Sequence, residues 1–284
     1  MSTIHSLPQA DAGRPTVLCL HCSGGSGRQW RPLTAPLSPY FDFHAPDLLG
    51  YASPGSWPPG AVVSLDDETE RLSALLIDAD EPVHLLGHSY GGAVALQLAM
   101  RWPDRVASLT LYEPVRFALL GDIQGTSATE AAQAAEARYQ INTIANRFAL
   151  AVMSGRHEEA AERFVDFWGG SGTWAAMDQR RRQSQVAAMP KVHAEYQAVM
   201  ADRTPGGAYA ALTMPVRLIG GTSSPLAVRM VMRRLAARLP QAATVSIVGL
   251  GHMGPVVASG RVRAHLPAWL QAPAQARLDD RQAA

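Results

Sequence analysis

The chain has 284 residues, of which 47% are hydrophobic and 17% charged, with 25 basic against 24 acidic side chains and a formal charge of +1. That supply of apolar side chains excludes wholesale disorder, and the near-zero charge offers no field of one sign to gather nucleic acid or anionic lipid. A small-molecule substrate is the expected partner; no nucleic acid or membrane is expected, and the composition leaves the oligomeric state open.

A chain of this length fits one domain built around a single sheet and carrying an insertion. The opening MSTIHSLPQADAGRP has neither a basic start nor an apolar core, and no later run of about twenty apolar residues follows, so a cytoplasmic location is expected. In chain order, short apolar runs predict strands over 16–21, 41–46, 83–87, 106–112, 216–220 and 244–248. Longer amphipathic stretches between them predict helices over 29–37, 65–78, 90–101, 226–239 and 261–270. This alternation is the pattern of a mostly parallel central sheet flanked by helices.

Between Val115 and about Met214 the rhythm changes, with helical runs over 130–150 and 158–168 and no convincing strand. The expected organisation is a core of residues 1–114 and 215–271, an inserted helical cap over 115–214, and an Ala/Gln/Arg-rich, loose tail over 272–284. The insertion is rich in Trp and Met: Met153, Trp168, Trp174, Met177, Met189 and Met200 either line an apolar pocket or fill the cap's own core, and for any single one the core is the simpler expectation.

Cys19 and Cys22 form a C-x-x-C pair inside TVLCLHC. On an extended strand residues three apart face opposite ways, with Cα atoms about 10 Å apart, which a disulfide cannot span. His21 is a third ligand type nearby, but no second cluster completes a four-coordinate zinc site. The pair reads as structural. No metal and no organic cofactor is expected, and Gly24-Gly25-Ser26-Gly27 matches no phosphate-cradling spacing.

The strongest local signal is VHLLGHSYGGAVALQLAMRW, where an apolar strand runs through Gly87-His88-Ser89-Tyr90-Gly91 into an Ala/Leu-rich helix. This is G-x-S-x-G in its required strand–turn–helix setting. The glycines let strand and helix backbones approach while the serine occupies a tight turn. The free N–H groups and positive dipole end of the following helix lie where an oxyanion would form, making the Tyr90 N–H one expected donor.

That segment resembles the nucleophile elbow of the α/β-hydrolase superfamily, and the order of elements from Thr16 to about Leu270 is similar throughout. The resemblance implies the α/β-hydrolase fold, with Ser89 as nucleophile. It makes His252, on the turn of TVSIVGLGHMGP after the last strand, the general base. VLCLHCSGG resembles the family's H-G loop, which makes His21 a structural histidine and the Ser23 N–H the second oxyanion donor, although Cys22 stands where the family has glycine. A serine at position 89 departs from the haloalkane dehalogenase and epoxide hydrolase branches, whose nucleophile is an aspartate.

Most relatives place the third triad member after the strand over 216–220, but this chain reads Gly221-Thr222-Ser223-Ser224-Pro225, with no carboxylate. Some superfamily members carry the acid after the preceding strand, where SLTLYEPV has Glu113. That residue ends the strand next to the one bearing Ser89, at the edge where active sites of open α/β sheets form, so Glu113 is the expected acid. Its alternatives are a solvated strand end or a partner for Arg116, while Ser224 and Asp47 are poor substitutes. Asp47, in HAPDLLGYASPG, is expected to order its own loop. The function expected is serine hydrolysis of a small, largely apolar ester or thioester. A carbon–carbon bond hydrolase or cofactor-free perhydrolase using the same triad, and a weakly catalytic ligand-binding protein of the same fold, are the alternatives.

Overall fold

A computed structural model describes residues 14–52, 57–122, 125–268 and 270; the expected tail over 272–284 lies outside them. Among the described residues six strands pair in the order β2-β1-β3-β4-β5-β6, every pair parallel. They are β1 (Thr16–Leu20), β2 (Asp42–His44), β3 (Val83–His88), β4 (Val106–Tyr112), β5 (Val216–Gly221) and β6 (Ala242–Ile247). The helices are α1 (Arg31–Thr34), α2 (Leu65–Ile77), α3 (Tyr90–Arg101), α4 (Ala128–Met153), α5 (His157–Gly169), α6 (Thr173–Ala176), α7 (Gln179–Ala201), α8 (Leu226–Ala236), α9 (Gly254–Val257) and α10 (Ser259–Arg263).

Strands β1, β3, β4 and β5 are near-continuous runs of buried residues because helices cover both faces of the sheet. The period of two sorts their side chains: Leu18 and Leu20 face the core beneath α2, α3 and α8, while Val17 and Cys19 face the core holding Trp30, Leu33 and Leu266. The chain leaves β1 toward β2 and then returns to the other side of β1 with β3, so the sheet switches direction between β1 and β3. In open α/β sheets that is where a crevice opens beyond the strand ends.

Four expectations shift for identifiable reasons. The helix expected over 29–37 is broken into a 3-10 turn at Gly27–Trp30, α1, and a second 3-10 turn at Ala35–Leu37, because Pro32 and Pro36 remove backbone donors. The helix expected over 261–270 is replaced by α9 and α10: Pro255 starts the first one early, and Pro267 bars continuation past α10. β2 is only three residues long, ending short of Pro46, which cannot donate to a ladder. β6 begins two residues earlier than expected and excludes Val248, which is 77% exposed.

Between β4 and β5, α4 to α7 form the helical insertion. α4 opens on a capping box, Ser127 with Glu130. Its buried Ala134, Ile141 and Phe148 join Trp168, Trp174 and Met189 in the same apolar cluster as α2, α3 and α8, so the insertion shares the main core rather than building one of its own. Met153, by contrast, is exposed. Among the described residues no helix is long and apolar enough to cross a membrane.

A buried ionic group ties the insertion to the sheet domain. Lys191 Nζ of α7 stands 3.0 Å from Glu68 Oε1 of α2 and 2.8 Å from Glu195 Oε1, with all three side chains no more than 1% exposed. Burial works against the ammonium, but Glu195 and Glu68 outweigh it and hold its pKa above the ordinary lysine value. Burial likewise leaves Glu68 above the usual carboxylate range in spite of Lys191. Lys191→Met strands two buried carboxylates and is expected to cost about 3–5 kcal/mol at pH 7. Protonation relieves that loss, because carboxyls whose folded pKa is raised favour the folded state as pH falls. Urea unfolding of both proteins at pH 7 and pH 5 checks this: the deficit should narrow at the lower pH.

Candidate active site

Ser89 lies between β3 and α3 with φ 56° and ψ −117°, outside the regions an L-residue favours. The neighbouring glycines explain how the turn closes. A Cβ on Gly87 would lie 2.7 Å from Gly92 Cα, one on Gly91 would collide with the Leu20 carbonyl, and one on Gly92 would press on Pro114. Glycine therefore lets α3 seat directly against the ends of β1 and β4. The Ser89 N–H donates to Tyr112 O at 3.0 Å and the Gly91 N–H to His21 O at 3.1 Å, pinning the turn between the two neighbouring strands.

The structure brings Ser89, His252 and Glu113 together. His252 Nε2 is 2.8 Å from Ser89 Oγ, and His252 Nδ1 is 2.7 Å from Glu113 Oε2. All three are buried. Glu113 also has positive φ, 45°, which turns the chain at the end of β4. Its other oxygen, Oε1, accepts the Gly221 N–H at 2.7 Å and the Ser224 hydroxyl at 2.5 Å. The end of β5 and the turn after it thus contribute donors that clamp Glu113. Arg116 does not engage it, pairing instead with Asp202 at 3.2 Å.

His252 is held by contacts that its sequence position does not advertise. Its carbonyl accepts from His88 Nε2 at 2.8 Å, and the preceding Gly251 carbonyl accepts from Tyr112 OH at 2.7 Å. Burial, then repulsion from His252, holds the His88 pKa well below the ordinary histidine value, so this ring is neutral and donates from Nε2. Gln29 Nε2 donates to its Nδ1 at 3.3 Å. From the insertion, the indole of Trp168 lies over the His252 ring, centroids 4.3 Å apart and planes tilted 38°, with Trp168 Nε1 donating to Tyr196 OH at 3.0 Å. His88 as the residue before Ser89, and the aromatic richness of the insertion, were the only sequence signals for this shell.

The loop after β1 passes beside Ser89. His21 accepts the Leu48 N–H on Nε2 at 2.9 Å and meets Cys22 O through Nδ1 at 2.8 Å, a structural role. Gln29 Oε1 takes the Cys22 N–H and thiol at 3.2 Å each, and Tyr51 OH takes the Gly24 N–H at 2.8 Å. The N–H groups of Cys22, Gly24, Gly25, Ser89 and Gly91 are all bonded; among the described residues those of Ser23 and Tyr90 have no acceptor. Both residues border a cavity of about 20 Å³ at Ser89, walled by Phe164, Trp168, Tyr196 and Met253. Asp47 Oδ1 accepts the Gly27 N–H at 2.8 Å, so it fastens its loop to the β1 loop and stays away from His252.

Cys22 borders the same cavity, yet burial, reinforced by the negative Glu195, pushes its thiol up to about 12. Cys19 is buried in the core, and both thiols are free. The thiolate is the reactive form, so native protein at pH 8 is expected to resist iodoacetamide, while denatured protein takes two adducts. Intact-mass spectrometry before and after denaturation reads the difference.

A family model described as "Alpha/beta hydrolase family" matches residues 17–265. Lipase LipV of Mycobacterium tuberculosis is 40% identical over 112 residues, which cover 39% of this chain and 41% of the lipase. A pimeloyl-[acyl-carrier protein] methyl ester esterase of Aliivibrio salmonicida is 26% identical over 249 residues, 86% of this chain and 87% of the esterase. The match therefore spans less than half the length of the first of these relatives. Among solved structures, a thermophilic esterase from Thermogutta terrifontis superposes with a TM-score of 0.63 at 24% identity, covering 92% of this chain and 90% of its own, a likeness of fold. With a family match running from the first strand to beyond the turn that carries His252, the chain belongs to the alpha/beta hydrolase family.

Proposed function

We propose that the chain is a serine hydrolase that cleaves a small, largely apolar carboxylic ester or thioester through an acyl-enzyme on Ser89. The observation that carries this reading is the continuous relay from Ser89 Oγ to His252 Nε2 at 2.8 Å and from His252 Nδ1 to Glu113 Oε2 at 2.7 Å. The two relatives, one named a lipase and one a methyl ester esterase, support ester cleavage.

In this mechanism Ser89 Oγ attacks the carbonyl carbon while its proton passes to His252 Nε2. Glu113 keeps the ring proton on Nδ1 and stabilises the imidazolium that forms. The unbonded N–H groups of Ser23 and Tyr90 receive the oxyanion, where each donor is worth about a hundred- to a thousandfold in rate. His252 then gives its proton to the leaving group, and a water activated by the same imidazole resolves the acyl-enzyme. Residues 115–214 act as a cap, supplying Phe164, Trp168 and Tyr196 as an apolar wall that favours a small acyl group.

A fluorophosphonate probe should add its mass to Ser89 and leave a Ser89→Ala protein unlabelled; an unlabelled native protein at high probe concentration would point instead to a ligand-binding protein of this fold. A panel of nitrophenyl esters against vinylogous diketones separates ester from carbon–carbon bond cleavage, with faster turnover of short-chain esters expected. Glu113→Gln should lower kcat by about a thousand- to ten-thousandfold, because the ring then loses its orienting carboxylate. Ser224→Ala removes one of three bonds to that carboxylate and should cost about tenfold or less. Steady-state kinetics of the two variants makes the comparison, and equal, mild effects would remove Glu113 from the relay.

A further inference from the structure

A second cavity, of about 570 Å³, opens where α8 meets the amino end of α4, and among the described residues none that lines it also lines the cavity at Ser89. Three arginines, Arg233, Arg234 and Arg238, face it together with two carboxylates, Asp122 and Glu130. Four of these five charges are engaged. Arg238 Nη2 is 2.8 Å from Asp122 Oδ2, and Arg233 Nη1 donates to Gln133 Oε1 at 3.3 Å. Glu130 Oε2 closes the α4 capping box, accepting from the Ser127 N–H and hydroxyl at 3.2 Å each.

Arg234 is the exception. It is 4% exposed, and among the described residues its Nε and Nη2 are buried with no hydrogen-bond partner. A guanidinium cannot shed its charge as a buried lysine can, so an unpaired one inside a protein is costly until an anion meets it. The surplus positive charge of the cavity therefore rests on a side chain whose fork is shaped for a planar or tetrahedral oxyanion. The amino end of the 26-residue α4, where Glu130 of its first turn and the preceding Thr126 line the cavity, adds the positive end of a helix dipole.

We propose that this cavity is a second ligand site, separate from the Ser89 site, which takes the phosphoryl group of a small molecule on Arg234. The test titrates the full chain with inorganic phosphate and with glycerol 3-phosphate at constant ionic strength in chloride, reading the melting midpoint and the heat of binding. Both anions should raise the wild-type midpoint saturably, and Arg234→Met should weaken their binding by about ten- to a hundredfold. In chloride alone Arg234→Met should melt above the wild type, because a buried unpaired cation has been replaced by an apolar chain. Tighter binding of the ester than of inorganic phosphate identifies a phosphorylated metabolite as the occupant; equal binding identifies free phosphate. The proposal fails if neither anion binds saturably, if both proteins gain equally, or if Arg234→Met melts below the wild type in chloride, which would reveal an internal partner. Should that variant not fold, Arg234→Lys keeps the charge without the fork: weaker phosphate binding supports the site and unchanged affinity overturns it.

Discussion

The carboxylate of Glu113 ties together three parts of the chain: the end of β4, the stretch around Gly221 and Ser224, and the turn that carries His252. One oxygen is fixed by the Gly221 N–H and the Ser224 hydroxyl, which leaves the other aimed at His252 Nδ1. A carboxylate with that many donors has little rotational freedom, so the imidazole it orients is presented to Ser89 in one tautomer and one direction. The end of β5 and the turn after it supply the donors that steady a carboxylate brought in from β4. The positive φ of Glu113 and of Ser89 belongs to the same solution: two adjacent strand ends both turn sharply so that their side chains converge beyond the sheet, and the surrounding hydrogen bonds hold strain that neither residue would adopt alone.

The inserted helices do more than cover this convergence. Gln185 of α7 donates to the Gly24 carbonyl at 3.0 Å, and Glu195 of the same helix accepts from Tyr51 OH at 3.0 Å while that hydroxyl holds the Gly24 N–H. The loop carrying Ser23 is therefore set by α7 from one side and by Gln29 from the other. Cys22 fits in this loop because its N–H and thiol both end on Gln29. The same helix carries Lys191 into the buried ion group with Glu68, so the position of the insertion and the shape of the loop beside Ser89 are mechanically linked. Since Trp168 packs on His252 as well, displacing the insertion would disturb both sides of the cavity.

Local pattern was enough to read the strand–turn–helix around Ser89, because glycine spacing, an apolar strand and an Ala/Leu-rich helix all act within a few residues. His252 on the turn after the last strand, and Glu113 after β4 in place of a carboxylate beyond Gly221, are what the resemblance to the α/β-hydrolase superfamily implies. Pro32, Pro36 and Pro267 interrupt helices that apolar periodicity alone would run on unbroken, because each removes a backbone donor.

By itself, then, the sequence determined the parallel sheet and the elbow, since both follow from local pattern and backbone preference, while His252 and Glu113 were expected from the family resemblance that the elbow carries. Only the tertiary structure decided who supports them: the clamp of Ser224 on Glu113, His88 and Trp168 around His252, Gln29 beneath Cys22, and Lys191 between Glu68 and Glu195. Those contacts join residues as much as 164 positions apart, and each depends on side-chain direction and burial once the sheet is assembled. A charged or aromatic residue on a helix reads the same in sequence whether it ends in solvent or in such a contact, so no local pattern foretells the choice.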